Sequence, residues 1–174
     1  MVPRTKWVER KFTFDLPAGC LANVLERVRG TSARLEDLTR GVSPELLTRR
    51  DGERWSMQEH AGHLLDLEEL DTGRLDDFEA GLATLRAADM SNRKTREAAH
   101  NERRLTDILS ELRHGRAEFV RRVEGYNEEF VSRPALHPRL QVPMRVIDLA
   151  YFISEHDDHH LASISELLRQ FGAR

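Results

Sequence analysis

Leu149, Ile153, His156, His160, Ile164 and Leu167 follow one another at steps of three or four residues. That spacing constrains the chain more than any other feature in it. Such steps bring all six side chains to one face of an α-helix, the face that has to meet other elements. A strand cannot carry this period, because it changes sides at every residue. Two titratable imidazoles therefore sit inside an apolar seam, within the stretch FISEHDDHHLASISELL at residues 152–168. The helix holding the seam is predicted from about Met144 to Gln170, with Gly172 placed to end it.

A single amphipathic helix has nothing to bury its seam against, and three more helical segments supply partners. From Ala18 to about Arg40, Leu21, Val24, Leu25, Val28, Leu35 and Leu38 recur at helical spacing, after Pro17 at a position that tolerates it. A second helix is predicted over Ser56 to about Phe78, where Ser56 and Glu59 have the spacing of a capping box. A third, from about Arg93 to Val123, carries Leu105, Ile108, Leu109, Leu112, Phe119 and Val120.

Four such segments predict an all-α, four-helix bundle. The long joints at residues 41–55 and 124–143 allow a topology other than simple up-down-up-down. The length of 174 residues suits one domain, 1–174, with a sizeable core. Within it, residues 1–16 read as an extended N-terminal arm, since WVERKFTFDL alternates polar and apolar side chains. An arm of this kind can lie across a second copy, and a homodimer is expected on that ground.

Composition narrows the function classes. A formal net charge of −3 argues against a general nucleic-acid or anionic-membrane binder. The single cysteine, Cys20, excludes an intrachain disulfide or a cysteine-rich zinc site, and no histidine lies near it in sequence to make a catalytic thiol. No apolar run approaches the about 20 residues that a membrane-crossing helix needs, and the N-terminal stretch has no apolar signal core, so a cytoplasmic address is expected. Neither glycine-rich phosphate loop is present. Glu97 and His100 make one E-x-x-H pair where a di-iron bundle needs two.

The histidines carry the remaining signal. Imidazoles at i and i+4, as at His156 and His160, can grip one transition-metal ion through bonds of about 2.0–2.1 Å. Two ligands make a weak site, so a third is expected from a neighbouring helix, and the second helix offers His60 and His63. On a wheel centred on Met57, Ala61, Leu64 and Leu75, His60 lies nearer the apolar centre and His63 on the flank with Leu67 and Leu70. The wheel leans slightly to His60 and leaves both open.

WSMQEHAGHLLDLE, followed far downstream by SEHDDHHLASISEL, resembles the DinB/YfiT-like superfamily of metal-binding four-helix bundles, over roughly residues 15–172. The resemblance implies His63, His156 and His160 as ligands, with a fourth coordination position left open and usually holding water. The implied cofactor is a divalent transition metal, zinc or nickel first, iron or manganese next. Members of the superfamily include thiol-dependent S-transferases, a maleylpyruvate isomerase and proteins described as metal-dependent hydrolases. The implied activity is the activation of water or a low-molecular-weight thiol toward a small-molecule substrate. The alternative is a non-catalytic, metal-stabilised bundle that binds a partner, because outside the three ligands no general acid or base stands out.

The other polar residues have plainer expectations. His60 is expected beside the site or partly exposed, and His100, His114, His137 and His159 in solvent. Asp157 and Asp158 are expected to orient imidazoles or to form a hydrated face, with Glu155 pointing away from the metal. Trp55 is expected to anchor the core at its helix start, and the Arg/Glu-rich third helix to present a solvated, ion-paired face.

Overall fold

Ser56 and Glu59 cap each other as their spacing requires. The Glu59 backbone N–H donates to Ser56 Oγ at 3.1 Å, and the Ser56 N–H donates to Glu59 Oε2 at 2.8 Å. In the computed structural model, which describes residues 2–173, this box starts the second of four long helical tracks. The first track is α1 (Leu21–Arg29) and α2 (Thr31–Thr39), followed by the short α3 (Pro44–Leu47) capped by Ser43. The second is α4 (Met57–Asp66) and α5 (Glu68–Glu79). After α6 (Arg93–Glu97), α7 (Leu105–Glu124) forms the third; α8 (Glu128–Val131) and a two-stranded hairpin precede the fourth, α9 (Val146–Gln170).

Three of the predicted helices are broken. The chain steps at Gly30 and at Leu67, where ψ is −7° and −11°, while bonds such as Leu67 N–H to the His63 carbonyl carry the helical bonding across each step. The predicted third helix over residues 93–123 is a larger departure. Ala99 takes a left-handed φ of 48°, and Gln58 Nε2 donates to the carbonyls of His100 and Arg103 at 2.6 and 2.7 Å. Side chains of α4 thus capture backbone that would otherwise continue the helix.

The joint at 124–143 holds β1 (Pro134–His137) and β2 (Val142–Arg145), an antiparallel pair, and so α9 begins at Val146 rather than Met144. Residues 83–85 add backbone bonds to Leu136 from the other side. The hairpin lies beside the bundle and leaves the fold all-α.

The first and second tracks each pack against α7 and α9. Consecutive tracks one and two therefore lie diagonally, and the order around the bundle is not up-down-up-down. The N-terminal arm folds back on its own bundle instead of reaching outward. Trp7 and Phe12 pack on Phe152 at ring distances of 5.0 Å, and Arg10 pairs with Glu155. Arg4 bonds the His159 carbonyl and Ser163 Oγ at 2.7 and 2.9 Å.

Two apolar clusters fill the bundle. One gathers Val28, Leu75, Phe119, Val123, Met144 and Leu149; the other gathers Leu35, Met57, Leu64, Ile108, Leu112 and Ile164. Between them lies a polar layer that explains half of the titratable stretch in α9. Arg116 is 1% exposed, and its guanidinium lies 2.8–3.1 Å from Glu68, Asp71 and Asp157. Asp157 also accepts the Thr31 hydroxyl at 2.6 Å.

One buried cation thus faces three carboxyls, and burial pushes Glu68 up to about 8, so that it carries a proton at neutral pH. Two expectations are corrected here. Arg116 is a core residue on a helix otherwise edged with solvated ion pairs. Asp157 and Asp158 orient no imidazole, since Asp158 pairs with Arg27 and Arg34 at 2.5 Å.

Candidate metal centre

His63 sits in the last turn of α4, and His156 and His160 sit one turn apart in the middle of α9. One ring nitrogen from each lies within 4.8 Å of the other two. The Nε2 atoms of His156 and His160 are 3.1 Å apart, close to the about 3.3 Å expected between ligands of a tetrahedral zinc site with bonds of about 2.0–2.1 Å. The three rings come from two helices far apart in sequence, and the packing of α4 on α9 brings them together.

Neighbours engage the outer nitrogen of two of the three rings. His63 Nδ1 lies 2.9 Å from the Thr95 hydroxyl of α6. That contact engages Nδ1 and leaves Nε2 as the ring nitrogen available to a metal. Close by, His100 Nε2 lies 2.8 Å from Asp66 Oδ2. Burial opposes charge on Asp66, but hydrogen bonds from His100 and Thr95 hold its carboxyl below the usual range.

His160 Nδ1 meets His60 Nδ1 at 2.8 Å, which turns His160 Nε2 toward His156. Such outer partners orient metal-binding imidazoles and set their tautomers. Burial pushes His63 down to about 4, and burial with neighbouring histidines holds His156 and His160 well below their ordinary value. All three are neutral, the form that binds a metal.

The trio forms part of the wall of a cavity of about 530 Å³. Trp55 lies 4.8 Å from the His63 ring and Trp7 lies 4.7 Å edge-on to His156. Trp55, expected as a core anchor, is a half-buried wall of this cavity instead.

His60 falls outside the trio, as a partner of His160. His159 is half-buried against Trp7 and lines the cavity, where burial pushes it down to about 4. His100 and His137 are each 2% exposed rather than solvated, and only His114 of the four expected in water is there. Thr95, Asp66 and His100, which brace His63, carry no signal in spacing. Each is a lone polar residue until the loop after α5 folds back.

Gly62 exists where it does because of that brace. A Cβ at Gly62 would lie 2.2 Å from His100 Cγ, a buried ring held by Asp66. Gly62→Ala should cost about 1–3 kcal/mol, as overpacking does, and lower the melting temperature by several degrees. An unchanged melting curve would mean that His100 is free to move.

Two solved structures share the fold. YfiT from Bacillus subtilis, described as a probable metal-dependent hydrolase with an unusual four-helix bundle topology, superposes with a TM-score of 0.74 at 19% identity, over 94% of each chain. The mycothiol-dependent maleylpyruvate isomerase matches with a TM-score of 0.65 at 14% identity, over 85% of this chain and 60% of that longer one. Among curated protein sequences, none matches the chain. The family model of the DinB superfamily matches residues 25–164, a span that contains all three converging histidines, and the chain belongs to that superfamily.

Proposed function

We propose that His63, His156 and His160 hold one divalent transition-metal ion, zinc or nickel, in an enzyme acting on a small molecule. Water or a low-molecular-weight thiol is its nucleophile. The observation that carries the reading is the convergence of three neutral imidazoles on the wall of a cavity large enough for a small substrate. Nitrogen donors suit zinc and nickel better than the harder, oxygen-seeking cations. An ion held by three protein ligands keeps a position for an oxygen or sulfur ligand and lowers that ligand's pKa.

The chain's own residues do the rest. Thr95 and His60 hold the imidazoles of His63 and His160 in their metal-binding tautomers. Trp7, Trp55 and Phe152 line the cavity and exclude bulk water. The reading agrees in kind with the metal-dependent hydrolase description of YfiT and the thiol-dependent reaction of the second structure.

A second reading, a metal-stabilised binding bundle, is favoured by one observation. The two further imidazoles on the wall, His137 and His159, are both pushed to about 4, far from the value a general base needs at neutral pH. Chelator-treated protein titrated with nickel and zinc, then assayed with small thiols and electrophilic or hydrolysable substrates, separates the two. One equivalent bound and turnover only when loaded is expected. Binding without turnover across the panel would favour the second reading, and no stoichiometric uptake would sink both.

A further inference from the structure

The same cavity carries three nitrogen donors outside the histidine trio: Arg74 from α5, His137 at the end of β1, and Arg139 in the turn after it. Arg74 is 3% exposed, and the one bond its guanidinium makes among the described residues runs from Nε to the Arg86 carbonyl at 3.3 Å. The carboxylates that attract it, Asp71 and Asp77, are held by Arg116 and Arg86.

His137 accepts the Leu140 N–H at Nδ1, 3.2 Å away, so its proton sits on Nε2, a buried donor with no acceptor. Arg139 has a buried Nη2 in the same condition, with its guanidinium 5.8 Å from the Phe152 ring centre. The three raise one another's cost of carrying charge: Arg74 and Arg139 both act to lower His137, and Arg139 acts to lower Arg74. Leaving such groups unpaired costs about 1–3 kcal/mol each, more for the charged ones. Of the acids on the wall, Asp71 belongs to Arg116, and Asp89 caps the Ser91 and Arg93 backbone.

We propose that Arg74, His137 and Arg139 form an oxyanion subsite, which takes the carboxylate or phosphate head of a small organic anion. Its apolar body lies against Leu67, Leu70 and Phe152 of the same cavity. Arginine forks match the paired oxygens of both heads, and the His137 N–H adds a neutral donor. The inference rests on the small-molecule reading above and names its substrate class: acids rather than neutral compounds.

The test uses the two tryptophans of the chain, Trp7 and Trp55, both on the cavity wall, as fluorescent reporters. Chelator-treated protein is titrated with hexanoate, hexyl phosphate and 1-hexanol. One of the two anions should bind at least about tenfold tighter than the alcohol, the factor that about 1.4 kcal/mol of charge-assisted bonding supplies. The tighter anion identifies the head group.

Arg139→Gln, at a half-buried position, should remove most of that preference while leaving hexanol binding unchanged and the melting temperature no lower. Arg74→Gln should act in the same direction. Equal binding of alcohol and anions, no binding of either anion, or a preference untouched by Arg139→Gln would overturn the proposal. Nickel uptake measured separately keeps the two readings distinct. Loss of the anion preference leaves the metal centre standing, and absence of metal uptake leaves the preference measured without metal.

Discussion

Freed of metal and taken from pH 7 to pH 5, the protein should lose most of its stability. Burial, aided by the neighbouring His63, pushes His60 down to about 3, and burial puts His63 and His137 at about 4. In the unfolded chain each titrates near 6.5. Between those limits the unfolded state binds protons that the folded state refuses, so stability is full above pH 6.5 and falls as pH drops toward 4.

Each group contributes a slope of about 1.4 kcal/mol per pH unit, so the three together approach about 4 kcal/mol per unit below pH 6. An ordinary domain holds about 5–15 kcal/mol in all. His156 and His160 act in the same direction. Glu68 acts oppositely: raised to about 8, it favours the fold below its unfolded value near 4.5 and loses that contribution as pH climbs through 8. As a single group it cannot offset the histidines, and it tilts the alkaline side gently downward. Urea denaturation at pH 8, 7, 6 and 5 reads the whole profile, with a maximum expected near neutrality. Equal midpoints at pH 7 and pH 5 would contradict the burial of these rings.

The convergence of three histidines could be expected from the sequence because two regularities met on them. The seam of α9 placed His156 and His160 one turn apart, and the family resemblance chose His63 against a slight lean of the wheel. The capping box at Ser56 and Glu59 formed as written, because it depends on four consecutive residues and nothing else.

What could not be read depends on distant partners. Arg116 looks like its solvated neighbours until Glu68, Asp71 and Asp157 arrive from two other tracks. The hairpin at Pro134–His137 and Val142–Arg145 has strands of four residues, too short for an alternating pattern to declare itself, and two of them are prolines. That hairpin then delivers His137 and Arg139 to the cavity, more than 60 positions along the chain from Arg74. His100 reads as a loop residue until Asp66 and Gln58 draw it and its backbone inward.

Replacing the histidines one at a time should split them into three groups by their effect on metal binding. His63→Ala, His156→Ala and His160→Ala each remove one of three proposed donors and should abolish stoichiometric uptake of zinc or nickel, since two imidazoles make a weak site. His60→Ala removes only the group that orients His160, and Thr95→Ala the one that orients His63. Both should keep one equivalent of metal and weaken its affinity by about 10–100-fold, the usual effect of losing an outer partner. His159→Ala should leave uptake nearly intact, because His159 lies on the cavity wall against Trp7 and outside the trio.

The contrast between His60 and His63 is the sharpest part. They are three residues apart on one helix, both are held in the same few ångströms around His160, and only their ring orientations separate donor from support. Calorimetric titration of each variant, with melting curves to confirm folding, reads the difference directly. Metal lost in His60→Ala but retained in His63→Ala would mean that the ion sits one helical turn away, with His60 as the ligand and the His63–Thr95 bond only structural.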